Sequence, residues 1–223
     1  MVEKILILNM TRMGDLIQST PLLAGLRKRH PSARITVVVS SDFFEFAKRI
    51  PHVDEIVVFN LRQFNEWKDK NSLSWVEVYR YLEKFLDDLA AGRFDLLVNL
   101  SHSKLSALMI SYLGVKEVRG FSCHETGDRK TNHPWMQYFG TEPFNRAFNT
   151  YNLVDIFARG GDVVPDGRVK IVSEPGDGAL IADTLARENI RDGDCLSGIQ
   201  AGSSLEGRRW PASSFAELAD LLA

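Results

Sequence analysis

The sequence predicts an α/β fold built on a parallel sheet, and two observations carry that prediction. First, short apolar runs recur at 5–8 (ILIL), 35–39 (ITVVV), 55–59 (EIVVF) and 94–100 (FDLLVNL). Each is too short for a core helix, and β-branched content suits strands buried on both faces. Second, helical periods lie between them. Over 75–91, Trp75, Val78, Tyr79, Leu82, Phe85, Leu86 and Leu89 form one apolar stripe, with Gly92 placed to cap the end. Leu105, Leu108, Met109 and Tyr112 repeat the pattern before Gly114, as do Leu153, Val154, Ile156 and Phe157 before Gly160 and Gly161. Strand alternating with helix means a sheet covered on both sides, a Rossmann-like domain over 1–165.

After Pro165 the rhythm resumes: a strand at 169–172 (VKIV), a helix at 177–189, a strand at 196–200 (LSGIQ) and a helix from Pro211 with Phe215, Leu218 and Leu222 on its buried face. Residues 166–223 are therefore expected to begin a second Rossmann-like domain. At about 58 residues they fall below the usual domain size of roughly 100–150, so that domain is expected to be incomplete.

Composition narrows the function. Of 223 residues, 44% are hydrophobic and 25% charged, values of a folded protein. Lys and Arg number 27 against 29 Asp and Glu, a net charge of −2 that gives no basic excess for a nucleic-acid partner. The apolar runs are too short for a transmembrane segment, and the N-terminus lacks a signal-peptide pattern. Cys123 and Cys195 stand alone, as reduced thiols of a cytoplasmic protein do.

Two βα turns carry candidate chemistry. In NMTRMGDLIQSTP (9–21), Gly14 lets a ligand approach the backbone and Asp15 puts a carboxylate at the sheet's carboxyl edge, where such folds bind ligands. Spacing alone favours a plainer role, Asp15 as an N-cap paired with Gln18. Pro21 would leave the Ile17 carbonyl unpaired inside one helix, so either that helix kinks or Thr20 caps a new one with Pro21 first. In QAGSSLEGRRWP (200–211), Gly202 permits a tight turn, Ser203 and Ser204 offer hydroxyls and amides, and Arg208 offers a bidentate fork to phosphate. Its glycine spacing nears a Walker A loop, but Arg208 and Arg209 stand where Lys and Ser/Thr are required, which excludes a P-loop NTPase.

The remaining signals are weaker. Asp192-Gly193-Asp194 precedes its strand and is expected to be a turn instead of a metal-binding pair. The five histidines have no metal-ligand spacing; His102, past the fourth strand, lies on the ligand edge or is a locally bonded loop residue. Residues 122–145 have no clear period and exceed an idle loop's usual length of about 12–15 residues. A binding loop and a solvent-facing excursion with its own short helix are equally compatible. Its His124, Arg129, Lys130, His133 and Trp135 suit an anionic, sugar-like acceptor.

The blocks ILILNMTRMGDLIQSTPLLAGLRKRHPSARITVVVS and GIQAGSSLEGRRWPASSFAELADLL together resemble the ADP-heptose:lipopolysaccharide heptosyltransferases, glycosyltransferase family 9. The first is similar to the family's opening strand and G-D…T-P turn, with Pro31, Ala33, Ile35 and Val39 in its following pattern; the second is similar to its K/R-x-W-P phosphate loop. The resemblance implies a GT-B fold, with the acceptor on the first domain and the donor on the second. It implies inverting transfer of heptose from ADP-heptose to an inner-core lipopolysaccharide sugar, with no cofactor and no metal. Asp15 matches the general base, and Ser203, Ser204 and Arg208 match the positions that hold the donor phosphates. The implied partners are a nucleotide sugar and an anionic glycolipid, and the implied place is the inner face of the membrane, held peripherally through the acceptor. Gly14, His102, Arg129 and Lys130 are the acceptor-side candidates. Two alternatives stay open: a non-catalytic nucleotide- or glycan-binding fragment, and a related transferase with another donor sugar.

Overall fold

A computed structural model describes residues 2–70, 75–124, 126, 128–131, 133–141, 151–203 and 205–222. The chain divides into two compact units, Met1–Ser173 and Glu174–Ala223.

The first unit is built on six strands: β1 (Lys4–Asn9), β2 (Arg34–Ser40), β3 (Glu55–Phe59), β4 (Leu96–Asn99), β5 (Glu117–Cys123) and β6 (Arg129–Thr131). Their order is β3-β2-β1-β4-β5-β6. The first five run parallel, and β6 turns back antiparallel on β5. The four predicted runs are β1 to β4. Alternation along β1 divides the core: Ile5 and Ile7 join one apolar cluster, Leu6 and Leu8 the other. On the first face lie α2 (Thr20–Arg29), the short α3 (Phe44–Ala47) and α8 (Leu153–Gly160), with Leu22, Leu26 and Phe157 buried. On the second lie α4 (Leu61–Lys70), α5 (Trp75–Ala90) and α6 (Lys104–Leu113), with Leu86, Leu89, Met109 and Ile110 buried. Each such side chain contributes about 1.5–3 kcal/mol on leaving water. Burial on both faces holds for β1, β2 and β4 but not for β3, whose Val58 is exposed because it forms the sheet edge.

The predicted stripe on α5 is displaced. Trp75 and Tyr79 are 65% and 59% exposed, while Val78, Leu86 and Leu89 are buried. Tyr81 takes the place expected of Tyr79: it packs edge to face with Trp67, and Phe59 receives both Tyr81 and Phe85. Leu108 and Tyr112 on α6 are likewise exposed; the Tyr112 hydroxyl donates to Asp87 at 2.7 Å. After α5 the left-handed position falls on Arg93 (φ 51°), not on Gly92.

Strand β5 and its partner were not foreseen. The β5 chain pairs with β4 through Gly120 and then with β6 from Phe121 onward. That change of partner needs Gly120 at φ 93°, against the Asn99 carbonyl, where a Cβ has no room. Among the described residues of this segment are the end of β5, β6 and α7 (Pro134–Thr141); 125, 127, 132 and 142–145 lie outside the described residues. His124, Thr126, Asp128 and Lys130 are exposed, and the segment carries its own short helix, α7. Met136 of α7 is fully buried with Phe121 and Ile156.

Neither strand predicted after Pro165 forms a ladder. A strand exists only when its backbone groups find a partner, and those at 169–172 bond individually: the Lys170 N–H to the Thr20 hydroxyl (3.0 Å) and the Val172 N–H to the Arg49 carbonyl (2.7 Å). In the second unit, α9 (Asp177–Arg187), a 3₁₀ turn (Glu206–Arg208) and α10 (Ala212–Leu222) are the regular elements among the described residues. Residues 196–200 are exposed throughout. Without a sheet to cover, Phe215 and Leu218 are only half-buried and Leu222 is exposed, so the expected buried face of α10 is not buried. Asp192–Asp194 is a turn, with the Asp194 carboxylate accepting the Arg191 N–H at 2.7 Å.

Candidate functional site

In the order β3-β2-β1-β4-β5, chain direction across the sheet reverses between β1 and β4. In such a sheet the loops leaving these two strands diverge, and ligands bind at that carboxyl edge. Asp15 follows β1 and His102 follows β4, so both candidates sit at this switch point.

Asp15 is not an N-cap. It is the third residue of α1 (Met13–Gln18), which Arg12 begins, and its carboxylate accepts the Arg12 N–H at 3.3 Å. Asp15 itself is half-buried. Gln18 instead donates to the Gly14 carbonyl at 3.2 Å. The chain breaks at Ser19, which caps α2 and makes Pro21 its second residue, one position off the expected arrangement. The Ile17 carbonyl, which Pro21 cannot serve, accepts the Thr20 hydroxyl at 2.8 Å. Gly14 is exposed, with open space where a Cβ would stand.

Beneath these loops runs a buried polar network that periodicity does not reveal. The Asn9 amide donates to the Ser19 hydroxyl (3.3 Å) and the Asp15 carbonyl (3.5 Å), and its oxygen accepts the Thr11 hydroxyl. The Met10 N–H donates to the Ser101 hydroxyl at 2.8 Å. The Ser101 N–H donates to the Asn99 side-chain oxygen (2.9 Å), and the Ser106 hydroxyl to the Ser101 carbonyl (2.7 Å). Asn and Ser after apolar runs were the available signal, but they read as ordinary loop residues.

His102 is half-buried, edge-on to Phe121 of β5 (centroids 4.1 Å) and Phe139 of α7 (4.4 Å). The α7 arm is held by Asp162, whose carboxylate meets Arg119 (3.0 Å) and His133 (2.6 Å). Because His133 Nδ1 accepts the Trp135 N–H at 3.3 Å, Nε2 is assigned as the donor to Asp162. Trp135, Tyr138 and Tyr151 meet edge to face at 5.1–6.4 Å between centroids, and the Arg159 guanidinium lies 4.9 Å from the Trp135 ring. Lys130 is exposed on β6, opposite Ser122; Arg129 pairs with Cys123 in register, and its side chain lies outside the described residues.

In the second unit, Ser203 precedes the 3₁₀ turn; its hydroxyl accepts the Leu205 N–H (3.4 Å) and its carbonyl the Arg209 Nε–H (2.7 Å). Arg208 ends that turn, exposed, and Trp210 stacks edge-on against Phe215 at the start of α10. Ser204 lies outside the described residues. Among the described residues no group of three His, Cys, Asp or Glu could hold a metal ion, and no helix is long and apolar enough to cross a membrane.

The parallel sheet of the first unit, with helices on both faces and a switch point between β1 and β4, is a Rossmann-like α/β domain. The chain resembles the family 9 glycosyltransferase from Veillonella parvula at TM-score 0.70 and 22% identity, covering 99% of this chain and 60% of that one. It resembles the Escherichia coli ADP-heptose lps heptosyltransferase II (TM-score 0.59, 18% identity, 98% and 61% covered) and the E. coli heptosyltransferase WaaC with ADP (0.59, 17%, 98% and 64%). Among curated proteins, E. coli lipopolysaccharide heptosyltransferase 3 is 24% identical over 104 residues, 46% of this chain and 28% of that protein. No family model matches. The fold is that of the family 9 heptosyltransferases, and the chain spans somewhat under two thirds of the solved structures it matches.

Proposed function

We propose that this chain carries the acceptor-side domain and the first part of the donor side of an inverting heptosyltransferase. The observation that supports this reading most is Asp15, half-buried on α1 at the β1/β4 switch point of a fold shared with heptosyltransferases. Asp15 takes the proton from an acceptor hydroxyl as that oxygen attacks the anomeric carbon, from the face opposite the departing ADP. Base catalysis of this kind contributes about 10²–10⁴ in rate. Ser203, Ser204 and Arg208 stabilise charge growing on the diphosphate, so the reaction needs no metal. On this reading Gly14, His102, Arg129 and Lys130 make up the acceptor side, and an anionic inner-core lipopolysaccharide sugar bound there holds the protein peripherally at the membrane.

Calorimetry tests the donor side. ADP should bind the chain, and Arg208→Ala should weaken it about 10-fold or more, the scale of one charge-assisted bidentate contact. ADP binding with no turnover of ADP-heptose supports a binding module; binding unchanged in Arg208→Ala removes the loop from the donor site.

A further inference from the structure

Ladder pairing between β1 and β4 ends at Leu8 and Asn99. Beyond it the chains separate toward α1 and α6, yet the Met10 N–H is not left open. The Ser101 hydroxyl accepts it at 2.8 Å and lies 3.4 Å from the Leu8 carbonyl, which also takes the Leu100 N–H at 2.9 Å. One side chain thus supplies the next rung where backbone can no longer reach. Ser101 is held in turn: Asn99 Oδ1 accepts its N–H, Ser106 donates to its carbonyl, and the Asn99 amide donates to Ser106 (3.2 Å) and to the Phe121 carbonyl on β5 (2.9 Å). All three side chains are at most 3% exposed. A buried hydroxyl or carboxamide costs stability unless it is bonded; here the Ser101 hydroxyl joins the β4 exit to the β1 exit, the Asn99 amide joins it to β5, and the remaining bonds brace the turn into α6.

The helix carrying Asp15 makes such a clamp necessary. At six residues α1 is far too short to hold itself, and its N-cap residue Arg12 supplies no side-chain bond to the first turn. Its place is set by Leu16 in the core, Asn9 beneath Asp15, and Ser101 at Met10. Ser101 also precedes His102 directly. We propose that Ser101 is a positioning residue: through Met10 on one side and its own backbone on the other, it sets where Asp15 and His102 stand relative to each other. The proposal rests on reading those two side chains as acceptor-side machinery; Ser101 touches no reacting atom.

The test is Ser101→Ala, followed by NMR of the Met10 amide, the Asp15 carboxyl carbon and the His102 ring. Met10 exchange should quicken about 10-fold or more relative to Leu8, both side-chain signals should move, and Ser101→Thr, which keeps the hydroxyl, should return them toward wild type. Unchanged Met10 protection, or movement of His102 without Asp15, overturns the proposal. If Ser101→Ala fails to fold, Ser106→Ala must shift both signals, and a variant with neither shifted overturns it equally. In a transfer assay Ser101→Ala should lower kcat and spare KM for the nucleotide sugar. Full activity of Asp15→Ala would defeat the functional reading while leaving the NMR result intact.

Discussion

Gly120 stands against the carbonyl of Asn99 so closely that β4 and β5 can pair only if residue 120 has no side chain. Its φ of 93° independently requires glycine. Gly120→Ala should therefore cost about 2–4 kcal/mol, combining backbone strain with displacement of Asn99. Urea unfolding measures it, and a loss below about 0.5 kcal/mol would show that β5 leaves β4 by another route.

The amino edge of the sheet is pinned by two aspartates that should set its acid sensitivity. The Asp95 carboxylate accepts the Glu3 and Lys4 N–H groups at 2.8 and 2.9 Å, which holds its pKa below the ordinary value. At Asp54 burial pushes upward, but the Ile35 N–H (2.7 Å) and Arg27 (2.5 Å) outweigh it and the pKa is lowered. An acid depressed in the folded state adds stability that is complete above its unfolded value of 3.8 and is lost as pH falls through the folded value. The urea midpoint should drop between about pH 5 and pH 3, with a shallower drop in Asp54→Asn and Asp95→Asn. A slope equal to wild type in both variants would contradict these bonds.

Gly14 offers a cleaner separation of stability from binding. Its surroundings are open and its backbone is helical, so alanine should be neutral or stabilising by about 0.5–1 kcal/mol. If a ligand lies against this backbone, the acceptor KM rises while the melting temperature does not fall. An unchanged KM would take Gly14 out of the acceptor surface.

Charge on β6 should matter to the acceptor alone. Replacing Arg129 and Lys130 together by glutamine should weaken binding of an anionic acceptor about 10-fold or more and leave ADP affinity as it was. Equal acceptor affinity in the double variant would place the anion elsewhere.

How much of this was legible follows from what each signal measures. Runs such as 5–8 and 35–39 announce strands because both their faces are buried. EVRGFSC gives no such run, since β5 carries Arg119 toward Asp162 and changes partner at Gly120. VKIV and LSGIQ have strand composition, but composition cannot supply the neighbour that makes a ladder. Asp15 was visible as a carboxylate in a βα turn, yet its position within α1 depends on Arg12 and Ser19, which spacing does not rank. Asn9, Asn99 and Ser101 were invisible as a set because the bonds that join the two strand exits, from Ser101 to Met10 and Leu8, cross about 90 residues of sequence.

The most direct measurement is the rate of heptose transfer from ADP-heptose by Asp15→Asn, read beside its melting curve. The Arg12 N–H bond lost with the carboxylate is long at 3.3 Å, so stability should change by no more than about 1 kcal/mol, while the rate should fall about 100-fold or more with ADP affinity unchanged. A variant that keeps more than about a tenth of the rate would show that Asp15 is not the base.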